Sequence, residues 1–241
     1  MTQSQKPFKR PPAKYQPKGL TVIYEDRDIL VVDKVSGLLT VASEKIKKNT
    51  AYHLLTDYVR KGNPKSRNRI FIVHRLDRDT SGLLVFAKSG AAKRHLQDSW
   101  QEVHKTYYAL VHGSVTPRRD VISSYVAENA AHKVYSVTNP KLGKLAKTEY
   151  RVLRESSEYC LLEIGLLTGR KNQIRVHLAD RGYPVLGDAR YGCKAKGIKR
   201  LMLHAASLTL THPHSGEQMT FTTKLPSYFD LLMKHSHQID H

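Results

Sequence analysis

The nine residues His74-Arg75-Leu76-Asp77-Arg78-Asp79-Thr80-Ser81-Gly82 place five ionisable side chains between two apolar runs, 69–73 and 83–87. Holding that much charge against a core is costly unless the charges pair or serve a ligand. Asp77 stands between Arg75 and Arg78, and neighbouring positive charge favours the carboxylate form. Such a group suits a nucleophile better than an acid. Attack on a glycosidic system is one use for it, and a hydrolase would add a second carboxyl to protonate the leaving group. No second carboxylate motif accompanies Asp77, so the chemistry implied is one in which the detached base is not lost to water.

Three other uses of this loop compete. Asp77, Asp79, Ser81 and Gly82 fall on the first, third, fifth and sixth positions of a calcium loop, but Lys88 then occupies the twelfth, where a bidentate Glu is required. Asp79-Thr80-Ser81-Gly82 has the form of an aspartic-protease tetrapeptide, whose chemistry needs a second carboxylate sharing one proton, and the chain holds no second copy. A solvated turn accounts for Asp79, Thr80 and Ser81 bonding their own backbone, and leaves Asp77 unexplained.

The elements that must position the loop follow from periodicity and turn chemistry. Residues 21–24 and 29–32 read as a strand pair closed at Ser36-Gly37, and 50–61 as a helix with Leu54, Leu55, Tyr58 and Val59 on its core stripe, capped by Thr50 and ended by Gly62. Short strands are expected at 69–73 and 83–87, with a helix over 91–103. Further strands are expected at 106–111, 147–153, 161–167, 202–210 and 218–223, and helices at 172–181 and 226–233. Strands outnumber helices without alternating with them. The fold class is therefore α+β, a central mixed, largely antiparallel sheet with flanking helices and loops.

His74-Arg75-Leu76-Asp77, followed by Thr80-Ser81-Gly82 and an apolar strand, resembles the defining catalytic segment of the RluA-type pseudouridine synthases. The resemblance runs over roughly 24–225. Lys34-Val35-Ser36-Gly37 is similar to the family's early Lys-Pro-Ser-Gly motif, Lys105-Thr106-Tyr107 to its tyrosine motif, and 168–177 to its arginine motif. Pro184-Val185-Leu186-Gly187-Asp188 with Tyr191, and Leu203-His204-Ala205 with Phe221, complete the pattern. The resemblance implies isomerisation of a uridine in RNA to pseudouridine, with neither metal nor organic cofactor. It makes Asp77 the nucleophile and Arg175 its buried partner. Tyr107 is to pack against the uracil, with a base role in one form of the mechanism; a slip of one residue on its strand would present Tyr108 instead.

The target base must leave its stack to reach Asp77, and Arg75 holds the position of the residue that fills the space left behind. Arg78, Lys105 and Arg170 border the pocket as phosphate contacts. On the 172–181 helix Ile174 and Leu178 are to face the core, with Arg175 about 100° round from Ile174. Val35 stands where the family usually has Pro, expected to loosen a turn. Asn172 stands where it usually has His, a difference bearing on a secondary hydrogen bond near Arg175.

The 241 residues carry 40 Lys and Arg against 21 Asp and Glu, a formal charge of +19, and 40% hydrophobic residues. The chain can bury a core, and the surplus charge points to a polyanion. Residues 1–19 hold five Lys or Arg, no acid and four prolines, and read as a flexible basic arm. Residues 20–233 form the catalytic domain, with no preceding S4 domain, and 234–241 a disordered tail. The segments 45–69 and 190–200 add eight and five basic residues against Asp57 alone. The expected partner is structured RNA, a ribosomal or transfer RNA stem-loop, with no DNA and no membrane. Cys160 and Cys193 form no metal-ligating pattern, no signal peptide or apolar span is present, and a cytoplasmic monomer is expected. A catalytically idle RNA-binding protein or RNA chaperone on the same fold is the alternative, set against the retention of Asp77, Tyr107 and Arg175.

Overall fold

A computed structural model describes residues 8, 10–43, 46–192, 197–198 and 200–235. Lys6, Lys9, Lys45, Cys193 and the tail from 236 onward lie outside the described residues. The strands are β1 (Leu20–Glu25), β2 (Ile29–Lys34), β3 (Phe71–Ile72), β4 (Ser81–Ala87), β5 (His104–His112) and β6 (Arg119–Glu128). They continue with β7 (Val134–Val137), β8 (Lys144–Glu155), β9 (Tyr159–Leu166), β10 (Leu203–Thr211) and β11 (Gln218–Thr222). Four helices, α1 (Ala51–Arg60), α2 (Gly90–Asp98), α3 (Gln173–Asp180) and α4 (Ser227–His235), flank them. The strands join in one sheet ordered β1-β2-β4-β10-β5-β9-β8-β6-β7, with β11 added to β10 and β3 to β4. Among the described strands only β4 and β10 run parallel. The α+β class and its largely antiparallel mixed sheet stand as expected.

The unbroken apolar runs of β2 and β4 have a direct cause, because both faces of the sheet are covered there. Leu30, Val32, Leu84 and Phe86 join Leu55 and Val59 of α1 in one core cluster. Ile29, Val31, Leu83 and Val85 join Ala92 and Leu96 of α2 in a second on the opposite face. The charged loop therefore leads into a strand buried along its whole length, all seven residues of β4 being buried.

Several boundaries differ from expectation for local reasons. Thr50 caps α1, accepting from His53 N at 3.2 Å, but Lys61 takes the left-handed conformation that ends it, one residue before Gly62. α2 stops at Asp98, where Ser99 donates its hydroxyl to His95 O and the chain turns. β4 begins at Ser81 rather than 83, which shortens the loop. Gly82 makes this possible with φ 112, since a Cβ there would lie 2.2 Å from Ala205 O. β6 and β7 were not expected. α3 is not amphipathic: Gln173, Ile174, Arg175, Val176, His177 and Leu178 are all buried, because the helix also lies against β6, β7 and β8.

The stretch expected as a flexible arm is engaged where it is described. Residues Ala13–Tyr15 form a 3-10 turn, Gln16 Oε1 accepts from Val22 N at 2.6 Å, and Phe8 packs on Tyr24 with ring centroids 5.6 Å apart. Polar and aromatic side chains in this stretch anchor it to β1 despite its prolines. No helix among the described residues is long and apolar enough to cross a membrane.

Candidate active site

Asp77 sits in the loop between β3 and β4, and the loop is held mainly through its carbonyls. Lys34, fully buried at the end of β2, donates from Nζ to Val35 O at 3.0 Å, Leu38 O at 2.8 Å and Arg78 O at 3.1 Å. Ser36 Oγ donates to Asp79 O at 2.7 Å, Gly37 N to Arg78 O at 2.9 Å, and Thr40 Oγ1 to Leu76 O at 2.8 Å. Burial pushes Lys34 down to about 8, and Asp79, Asp77 and Asp33 pull it back upward. Val35 does not loosen this turn: its N–H donates to Gly19 O at 3.1 Å, a bond that Pro could not make.

Arg175 meets two carboxylates. Its Nε and Nη2 donate to Asp188 Oδ2 and Oδ1 at 2.7 and 2.8 Å, a bidentate pair, while Nη1 reaches Asp77 Oδ2 at 3.2 Å. Burial works against the guanidinium charge, but Asp188 and then Asp77 outweigh it and hold Arg175 above its usual range. Burial also opposes ionisation of Asp188. The hydrogen bonds from Arg175 and from the backbone N–H groups of Arg190 and Tyr191 outweigh it and keep this carboxyl below its usual range. The motif reading gave Asp188 no role. Its place directly after Gly187, as the one acid in the basic stretch 181–200, was the available signal.

Two cavities open on either side of Asp77 and share Arg75, Asp77, Asn172 and Arg175 in their walls. One, of about 910 Å³, is bounded by 35–43 together with Arg78, Arg190 and Arg200. The other, of about 580 Å³, is bounded by His74, Trp100, Lys105, Tyr107, Arg170 and Leu203. All seven residues singled out from the sequence therefore line these cavities: Asp77, Tyr107, Arg175, Arg75, Arg78, Lys105 and Arg170. The register question on β5 resolves in favour of Tyr107, which lines the second cavity together with Lys105 two residues before it.

Burial, and then the negative charge of Asp77, push the Tyr107 phenol well above its usual range, so it is a protonated donor at neutral pH. A base role for Tyr107 thus needs a proton acceptor beside it, whereas a stacking role does not. Lys105 Nζ donates to Trp100 O at 3.3 Å and lies 5.4 Å from the Trp100 ring centre, and burial lowers its pKa. His74 accepts from Val85 N at 3.1 Å, stacks on Trp100 at 4.5 Å and is pushed down to about 3 by burial and Lys105, a neutral wall rather than an acid. Gln173 fixes the loop before α3, its Oε1 accepting from Thr168 Oγ1 at 2.7 Å and Arg170 N at 2.9 Å. Arg170 is exposed, its Nε donating to Leu145 O at 3.1 Å.

The chain that carries this partly exposed carboxylate and its buried arginine is similar to known proteins. Residues 28–180 match the family model described as RNA pseudouridylate synthase. An uncharacterised RNA pseudouridine synthase of Chloroflexus aurantiacus is 42% identical over 68% of this chain and 52% of its own length. Ribosomal large subunit pseudouridine synthase C of Vibrio cholerae is 34% identical over 87% of this chain and 67% of its own. The chain thus spans about half to two thirds of the length of these relatives. Human RNA pseudouridylate synthase domain containing 4 shares the fold, with a TM-score of 0.75 at 23% identity over 90% of this chain and 92% of that one. This chain belongs to the RNA pseudouridylate synthase family.

Proposed function

We propose that this protein is an RNA pseudouridine synthase acting on a uridine in structured RNA, with Asp77 as nucleophile. The observation that carries the reading is the Asp77 carboxylate, paired with Arg175 and open to two cavities. The Asp77 carboxylate bonds to the ribose C1′ as the bond from C1′ to uracil N1 breaks. The detached ring turns against Tyr107 and C5 bonds to C1′ as the carboxylate leaves, with the C5 proton passing to water and N1 taking one up. Every heavy atom of the uridine is retained, and only the C5 hydrogen is exchanged for one on N1, which fits a site built around one nucleophilic carboxylate. The reaction needs neither metal nor organic cofactor, as the family resemblance implies.

Arg75 is suited to occupy the stack that the flipped base vacates, being exposed and shared by both cavities. Arg78, Lys105 and Arg170 are suited to hold the flanking phosphates. The Vibrio cholerae relative is named for the ribosomal large subunit, which favours ribosomal over transfer RNA as substrate. The enzyme acts as a monomer in the cytoplasm.

RNA carrying tritium at uridine C5, taken from cells lacking the protein, tests the reading. The purified protein is expected to release tritium to water, and Asp77→Asn to abolish release while keeping RNA affinity within about threefold. Absence of release from any such RNA overturns the enzyme reading in favour of an idle RNA-binding protein.

A further inference from the structure

Asn172 stands at the N-cap position of α3, with φ 53 and ψ 17, a left-handed conformation that Asn tolerates better than most residues. Asn in this place usually turns its side chain onto the first helical N–H groups. Here it makes no such bond, although the residue is only 8% exposed. One end of its amide lies 2.6 Å from Asp77 Oδ2 and 3.2 Å from Asp77 Oδ1, and the other 3.0 Å from the Tyr191 hydroxyl.

Chemistry decides which end is which. An amide oxygen 2.6 Å from a carboxylate oxygen would be repulsive, so the nitrogen faces Asp77 and donates. The oxygen then faces Tyr191. That hydroxyl accepts from Val134 N at 3.2 Å, which leaves its own proton for the Asn172 oxygen. The amide is thus read from both sides, with β7 fixing Tyr191, Tyr191 fixing the amide, and the amide fixing the carboxylate.

We infer that Asn172 is a positioning residue for Asp77, with its orientation set by Tyr191. The inference rests on the proposed role of Asp77 as nucleophile. Asn172 and Arg175, three residues apart at the start of α3, grip the same oxygen, Asp77 Oδ2, at 2.6 and 3.2 Å. The other Asp77 oxygen is the less constrained and is the one presented for attack. The remaining charged or titratable groups about this carboxylate include Lys34, Asp79 and Tyr107, Lys171 in the walls of both cavities, the loop neighbours Arg75 and Arg78, and Asp188 behind Arg175. None of them changes in the variants below.

Asn172→Gly removes the amide and suits the left-handed backbone, so the local conformation persists. Tyr191→Phe keeps the ring on which Arg175 rests, with the guanidinium 5.1 Å from its centre, and deletes only the hydroxyl. Two readouts are taken: the Asp77 carboxyl followed by carbon-13 NMR through a pH titration of RNA-free protein, and kcat and KM for tritium release. In Asn172→Gly the Asp77 titration midpoint is expected to move to higher pH, and kcat to fall about tenfold or more with KM within about twofold. Tyr191→Phe is expected to move both in the same direction by less, because the freed amide can rotate. An unmoved midpoint in Asn172→Gly overturns the inference, and an unmoved midpoint in Tyr191→Phe alone overturns the part assigned to Tyr191. A moved midpoint in protein that never turns RNA over upholds the positioning and defeats the proposed enzyme activity instead.

Discussion

Arg175 holds one carboxylate on each side, and the two are held differently. Asp188 is fully buried, bidentate at 2.7 and 2.8 Å, and accepts two further backbone N–H bonds. Asp77 has a side chain 30% exposed, meets a single Nη1 at 3.2 Å and faces two cavities. Identical chemistry thus yields an anchor on one side and, on the other, a more open carboxylate, the proposed nucleophile. The buried pair carries the cost of keeping a guanidinium out of water, and Asp77 meets an arginine already aimed and charged. A nucleophile gripped as tightly as Asp188 would have no free lone pair to use.

Breaking each side in turn tests that contrast. Asp188→Ala leaves Arg175 buried with Asp77, at 3.2 Å, as its one remaining carboxylate, and is expected to cost about 3–5 kcal/mol of folding stability in urea titration, with turnover falling alongside. Asp77→Asn is expected to abolish turnover yet shift stability by under about 1 kcal/mol, since the side chain is 30% exposed and Arg175 keeps its bidentate pair with Asp188. If Asp188→Ala proves the milder change in the urea titration, the assignment of anchor and nucleophile is reversed.

The anchored side also carries a pH signature. His177 on α3, bonded through Nδ1 to Thr148 Oγ1 at 2.8 Å and through Nε2 to Ser124 Oγ at 3.0 Å, is pushed down to about 4 by burial. A histidine depressed in the fold binds its proton more readily when unfolded. Its stabilising effect is therefore complete above the unfolded value near 6.5 and is lost as pH falls toward 4. In that window His177→Gln is expected to flatten the fall in stability by up to about 1.4 kcal/mol per pH unit, read from urea midpoints between pH 4 and 7. The smallest effect is at the rim: Arg170→Gln is expected to raise KM a few-fold, leave kcat unchanged and reduce the salt slope of RNA binding by about one.

Much of this was legible in residue order. The doubly buried β2 and β4 announce themselves as Ile29-Leu30-Val31-Val32 and Leu83-Leu84-Val85-Phe86, and the charged loop between apolar strands marks Asp77 before any coordinates are known. β6 escaped because it is half-exposed: Ile122 and Val126 are its buried residues, four apart, while Val121 faces solvent and blurs the two-residue period. Asp188 and Asn172 stand in the motifs, but what they do at Arg175 and Asp77 was not legible, for a different reason. Each gains its meaning from a partner far along the chain, Asp188 from Arg175 and Asn172 from Asp77, and a pairwise contact of that kind leaves no periodic trace. On α3 the spacing placed Ile174, Leu178 and Arg175 correctly, but the burial of Gln173, Val176 and His177 beside them comes from β6, β7 and β8 and leaves no mark on the helix's own period.

The clamp on the Asp77 loop has a consequence for how the protein can change. Lys34, Ser36, Gly37 and Thr40 grasp main-chain oxygens of Leu76, Arg78 and Asp79, which every amino acid supplies. The side chains at 75, 78 and 79 are therefore free to vary while the path of the chain at 77 stays put. Such a loop can be retuned for a different ligand, by natural drift or by a designer's library, without disturbing the carboxylate between them.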